Sequence, residues 1–143
     1  MIAYFDTSAL VKLVIDEPDS DVAASLWARA DVIVSSRLVY PEARAALAAA
    51  QRGGRIDERE LRETTTTIDG LHAEMAVVGI DEGLARRAGD LAEVHGLRGY
   101  HAVHLASALT IDHEQLVLVT WDGDLAAAAG AAGCAAAPRR RRE

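Results

Sequence analysis

The chain has 143 residues, half of them apolar, and a net charge of −7. That length suits one compact domain with a substantial core and is too short for two ordinary ones, and the apolar content argues against general disorder. No apolar run approaches the roughly 20 residues of a membrane span, no signal-peptide pattern opens the chain, and the single cysteine, Cys134, excludes an intrachain disulfide and a thiolate zinc set.

The expected location is therefore the cytoplasm, and Cys134, set among alanines, reads as a small buried hydrophobe. Charge is unevenly spread. Arg139 to Arg142 hold four of the 15 basic residues and Glu143 one of the 22 acids, so residues 1–138 carry 11 basic against 21 acidic groups. Such a body repels a polyanion unless a cation neutralises part of its acid. Residues 138–143 read as a basic, flexible tail, with an RNA-contacting arm as the less favoured reading.

In chain order, Ile2 to Phe5 is a short buried strand, Asp6 follows at once, and Ala9 to Val14 continues as an apolar helical stretch. Glu17-Pro18-Asp19-Ser20 breaks the chain, and Ser20 or Asp19 can cap a helix over 21–30 with Val22, Leu26 and Ala30 on one face. Val32 to Val34 is a second strand, followed by Ser35-Ser36 and a helix with Pro41 in its first turn that runs through Ala50 to Gly53-Gly54. Asp57 opens a polar helix to about Leu71, Met75 to Val78 is a third strand, and Asp81 caps a helix that stops near Gly96. Tyr100 to Leu109 is a further helix and Leu116 to Val119 the fourth strand; the alanine-rich end holds one short helix and a weak edge strand at Cys134 to Ala137. The alternation predicts an α/β fold: one domain over residues 1–137, with a mostly parallel sheet of four to five strands flanked by helices.

A carboxylate directly after a strand of such a sheet stands at the edge where ligands bind. Asp6 is also a good helix N-cap, and taken alone the two readings are evenly matched. Further acids reach the same edge: Asp122 follows the fourth strand, Asp124 comes two residues later, and Glu42 opens the helix after the second strand. Clustered carboxylates raise one another's pKa unless a cation sits among them. Their oxygens suit Mg²⁺ or Mn²⁺, which can activate water against a phosphodiester.

Five collinear segments carry a resemblance. They are Asp6-Thr7-Ser8-Ala9-Leu10-Val11-Lys12-Leu13, Glu17-Pro18, Pro41-Glu42-Ala43-Arg44, Tyr100 with Val103-His104-Leu105-Ala106-Ser107-Ala108, and Thr120-Trp121-Asp122 with Leu125. Together they resemble PIN domains, and more narrowly the VapC ribonuclease toxins of toxin–antitoxin pairs. The resemblance covers all but the basic tail. It implies a metal-dependent endoribonuclease that leaves 5′-phosphate and 3′-hydroxyl ends, with tRNA or ribosomal RNA as substrate. It also implies a homodimer neutralised by a VapB-like antitoxin. Asp6, Glu42 and Asp122 match three acidic positions of the family. At the fourth, where the family has aspartate after the tyrosine, this chain has His101.

His101 exchanges a hard anionic oxygen for a nitrogen, which Mg²⁺ disfavours and Mn²⁺ and Zn²⁺ accept. Three readings follow: a weakened or inactive site, a changed metal preference, or a residue altered from aspartate. A PIN module that acts only by binding antitoxin or RNA is accordingly the alternative function. Ser8 and Thr120 are hydroxyls beside the acids, able to hold them or water in place, and equally ordinary turn residues. Asp124 is an outer acid or a solvated helix start. Arg44 can reach a phosphate or an antitoxin carboxylate, or form a surface ion pair. His104 and Trp121 are expected to pack, and His72, His95 and His113 to lie on the surface. A phosphatase or phosphoacceptor domain fits poorly: the second aspartate one such pattern needs is Ser8, and Lys12 is the only lysine.

Overall fold

A computed structural model describes residues 1–139. Five strands form one parallel sheet: β1 (Ile2–Phe5), β2 (Val32–Ser36), β3 (Ala76–Val78), β4 (Leu116–Val119) and β5 (Ala135–Ala137), in the order β3-β2-β1-β4-β5. Seven helices connect them: α1 (Thr7–Val11), α2 (Ser20–Arg29), α3 (Val39–Arg52), α4 (Glu58–Ala73), α5 (Glu82–His95), α6 (Gly99–Thr110) and α7 (Gly123–Ala131).

β1 is central because its residues are apolar on both faces, as a strand covered by helices on both sides requires. Ala3 and Phe5 enter one core with Leu10, Val39, Leu47 and Ile68, while Tyr4 enters the other with Leu105, Leu118 and Leu125. The two edge strands have three residues each, which leaves little unpaired backbone to template association. From β1 the chain builds outward through β2 and β3, then returns to place β4 on the other side of β1. The order therefore reverses between β1 and β4, and a crevice opens there at the carboxyl ends of the strands. Asp6 ends β1 and Thr120 ends β4, so both stand at this switch point.

Local chemistry sets the helix starts. Asp57 and Glu60 form a reciprocal capping box at α4, and Asp81 accepts from Leu84 N at α5. Gly96 ends α5 in the left-handed region at φ 64°, which glycine adopts without strain. The alanine-rich end forms α7 and β5, and Cys134 is buried, with burial pushing its thiol pKa up. Residues 140–143, which include most of the expected tail, lie outside the described residues. Among the described residues, no helix is long and apolar enough to cross a membrane.

Two expectations need correction. The first helix ends at Val11 and gives way to turns, because the chain must reverse before Pro18. Asp19 occupies the N-cap position of α2 without making a capping bond; its backbone is left-handed at φ 68°, and its carboxylate turns to the Trp121 indole instead. Leu118, fully buried at the centre of the second core, tests the packing. Leu118→Ala is expected to cost about 2–5 kcal/mol, measured by urea denaturation.

Candidate active site

Asp6 has both of the properties expected of it. Its Oδ1 caps α1 by accepting from Ala9 N at 2.9 Å, and the same carboxylate lies 2% exposed at the switch point. Two hydroxyls clamp it to the end of β4. Ser8 Oγ donates to Asp6 Oδ1 at 2.7 Å and accepts from Trp121 N at 3.0 Å. Thr120 Oγ1 donates to Asp6 Oδ2 and accepts from Asp122 N at 3.0 Å. Each hydroxyl passes a backbone N–H of the β4–α7 turn on to one carboxylate oxygen, which fixes Asp6 relative to Asp122. Burial is the largest influence on the Asp6 carboxyl and raises its pKa; the hydrogen bonds from Thr120, Ser8 and Ala9 N work against that.

Glu42 is held from the opposite side. Thr7 Oγ1 donates to Glu42 Oε1 at 2.9 Å, and His104 Nε2 lies 2.7 Å from the same oxygen. A carboxylate only accepts, so Nε2 carries the proton. His104 Nδ1 then accepts from the Tyr4 hydroxyl at 2.8 Å, and burial holds that phenol protonated by raising its pKa far above the ordinary value. Both bonds to Glu42 fall on Oε1, and Glu42 lines the cleft. His104 therefore does more than pack: it is 1% exposed and links the core tyrosine to a rim acid.

His101 stands in the first turn of α6, its ring 4.3 Å from that of Tyr100, with Nδ1 3.6 Å from Asp122 Oδ1. Asp122 caps α7 by accepting from Leu125 N at 2.8 Å, again on Oδ1. A cleft of about 350 Å³ is lined by Asp6, Glu42, Tyr100, His101 and His104 with the start of α1. At its mouth Tyr100 is exposed and its hydroxyl accepts from Arg98 Nη1 at 3.3 Å.

Two expected site residues, Arg44 and Asp124, fall outside this cluster. Arg44 lies two positions after Glu42, about 200° around the helix, and lines a groove between α3 and α4 with Arg62, Thr65 and Thr66. Its guanidinium donates to the Tyr40 hydroxyl at 2.9 Å and lies over the Tyr40 ring, with no ion pair among the described residues. Asp124 is exposed in the first turn of α7, where a negative charge suits the helix dipole. Trp121 is half-buried, donates Nε1 to Asp19 Oδ2 at 3.0 Å and has Lys12 Nζ 5.1 Å over its ring. His72 is likewise half-buried against Tyr40, and its buried Nε2 has no hydrogen-bond partner among the described residues. Thr7, Tyr4, Arg98 and Tyr100 were not singled out as site residues from the sequence. Their partners lie up to a hundred positions away, and only the adjacency of Thr7 to Asp6 offered a signal.

The donor set suits a divalent cation by its chemistry: three carboxylates, one imidazole, and a buried Asp6 whose bonds come only from hydroxyls and a backbone N–H. Among the described residues, however, no three such side chains stand close enough to hold an ion as placed. The side chains of Glu42, His101 and Asp122 are 20%, 16% and 31% exposed, so each is open to solvent in part.

A parallel sheet with acids gathered at its switch point defines a class, and the chain belongs to the PIN domain family, which it matches over residues 3–131. Within that class it is 45% identical over 137 residues to Ribonuclease VapC45 of Mycobacterium tuberculosis, covering 96% of this chain and 95% of the relative. Two solved structures share the fold. VapC20 of Mycobacterium tuberculosis, described as a sarcin–ricin loop cleaving toxin, matches with a TM-score of 0.68 at 21% identity, covering 88% of this chain and 94% of that one. A toxin–antitoxin complex from Klebsiella pneumoniae matches with a TM-score of 0.63 at 20% identity, covering 87% and 90%.

Proposed function

We propose that this protein is a metal-dependent endoribonuclease, the toxin of a VapBC-like pair, acting in the cytoplasm on a tRNA or ribosomal RNA loop. The observation that carries the reading is Asp6: a carboxylate 2% exposed at the switch point, on a cleft shared with Glu42 and His101. Identity of 45% to a named ribonuclease along nearly the whole chain supports the same chemistry here.

Asp6, Glu42, Asp122 and His101 are the residues that would hold one Mg²⁺ or Mn²⁺. When bound, such an ion supplies Lewis acidity, lowering the pKa of water and offsetting phosphate charge. The chain's own residues prepare the place. Ser8 and Thr120 keep the two oxygens of Asp6 fixed, and Thr7 and His104 hold Glu42 through Oε1. Arg98 and Tyr100 offer a cation and a ring face to RNA at the mouth. A VapB-like antitoxin covering this cleft is the proposed inhibitor, and two copies of the chain the proposed assembly. The shared fold with a protein solved in a toxin–antitoxin complex supports that partner.

A second reading, a PIN module that only binds antitoxin or RNA, draws on one observation: no three ligand-type side chains converge among the described residues. Gel analysis of RNA incubated with the protein in Mg²⁺, Mn²⁺ or EDTA separates the two. Cleavage that needs metal is the expected result. Cleavage undiminished by EDTA would overturn the metal site, and RNA binding without cleavage in either metal would favour the second reading.

A further inference from the structure

We propose that the groove between α3 and α4 binds a backbone phosphate of the RNA, beside the cleft and outside it, through Arg44, Arg62 and the Thr65 hydroxyl. This second holding point presupposes the RNA substrate proposed above. The groove, of about 460 Å³, is lined by Arg44 and Ala48 of α3 and by Leu61, Arg62, Thr65 and Thr66 of α4. It presents two cations and no acid, on a body in which residues 1–138 carry 11 basic against 21 acidic groups. The active cleft is the reverse: its lining includes Asp6 and Glu42 and neither lysine nor arginine. A polyanion entering such a cleft needs compensating cations close by. α3 is the wall between the two places, with Glu42, Ala45 and Ala46 on the cleft side and Arg44 and Ala48 on the groove side. A helix is about 10 Å across, so a single strand leaving the cleft can reach the groove within a few nucleotides.

The groove is set up to receive an anion. Arg44 Nη1 donates to the Tyr40 hydroxyl at 2.9 Å, its guanidinium lies 5.7 Å from the centre of the Tyr40 ring, and that hydroxyl donates to Asp69 Oδ1 at 2.7 Å. The guanidinium is therefore oriented by a phenol, pairs with no carboxylate among the described residues, and keeps most of its five N–H donors for a ligand. Arg62 likewise makes no ion pair among the described residues, whereas Arg55, Arg59 and Arg86 pair with Glu17, Glu63 and Glu82. Thr65 belongs to the run Thr64 to Thr67, four β-branched residues that lower the helix propensity of α4. Thr64, Thr66 and Thr67 each donate to a carbonyl of the preceding turn. Thr65 makes no such bond among the described residues; it lines the groove three positions after Arg62, on the same face of the helix. Two guanidiniums and a hydroxyl suit the oxygens of a phosphate, and such a contact fixes the register of the strand without reading its bases.

Arg44→Gln/Arg62→Gln tests this on the intact protein. Both side chains are exposed, and Tyr40 keeps its bond to Asp69, so the double variant is expected to fold as the wild type does. In steady-state RNA cleavage its KM should rise about tenfold while kcat stays within about twofold of the wild type. Fluorescence anisotropy with the same RNA in EDTA should show a comparable loss of affinity, and the slope of log affinity against log salt should fall by about 0.7. Arg44→Lys/Arg62→Lys keeps both charges and should restore the slope. Unchanged KM and salt slope in the glutamine variant overturn the proposal. So does RNA affinity that is unchanged while binding of a polyglutamate peptide weakens, which would make the groove a docking site for an acidic protein. The active site is judged separately. If the wild type binds RNA but cuts none in Mg²⁺ or Mn²⁺, the ribonuclease falls and the salt slope still decides the groove. If the wild type binds no RNA, both fall together.

Discussion

Asp6→Asn should lose at least about 100-fold in RNA cleavage and yet melt, in EDTA, at or above the temperature of the wild type. The two halves have separate causes. Asparagine keeps Oδ1 for Ser8 and Ala9 but replaces Oδ2 with a donor, so the site loses its innermost anion. An ionised carboxylate at 2% exposure carries a desolvation cost of several kcal/mol, and the substitution removes it. Against that, the Thr120 hydroxyl loses its acceptor, at about 1–3 kcal/mol. The charge effect is the larger, and the expected gain of about 1 kcal/mol amounts to roughly 3–5 °C.

The sign has a pH dependence. Burial raises the Asp6 pKa in the folded protein above its ordinary 3.8, so the ionised form penalises folding at neutral pH. The stability difference between variant and wild type should therefore shrink as pH falls through the raised folded-state value and vanish below 3.8, where the folded and unfolded wild type both hold a neutral carboxyl. A variant that is inactive and also markedly less stable would mean that Asp6 is chiefly a structural cap.

The contrast between Asp6 and its neighbours shows what a sequence discloses. Asp6, Glu42 and Asp122 were legible because each sits at a junction that local pattern marks: the end of an apolar run, or the first turn of a helix after one. The strands were legible for the same reason, down to the weak alanine edge at β5. What pattern cannot supply is pairing at a distance. Asp19 reads as a helix cap from its neighbours, but Trp121, 102 positions on, claims its carboxylate. Arg44 reads as a companion of Glu42 because the two stand only two positions apart, whereas helix geometry sends it to the opposite side. His104 reads as packing because it lies among alanines and leucines, and its partners Tyr4 and Glu42 are 100 and 62 positions away. Polar groups that satisfy one another inside a core are invisible until the chain is folded, and here they include the support of the site.

That support leads to the second large effect. His104→Leu should lower RNA cleavage about 10–100-fold through kcat, with little change in KM, because it frees Glu42 to turn without touching substrate contacts. It should also destabilise the fold by about 1–3 kcal/mol, since the Tyr4 hydroxyl, in a fully buried residue, loses its acceptor. A structural role alone would produce the second effect and drag activity down with it. The double variant Tyr4→Phe/His104→Leu distinguishes the causes: it removes the orphaned hydroxyl, so thermal stability should recover most of its loss, while cleavage stays low because Glu42 Oε1 keeps Thr7 but still lacks the imidazole donor. His104→Gln supplies the complementary case. Its amide N–H can reach toward Glu42 Oε1 in place of Nε2, and kcat should recover to within about tenfold of the wild type. Should activity follow the melting temperature across all three variants, His104 packs the core and does not position Glu42.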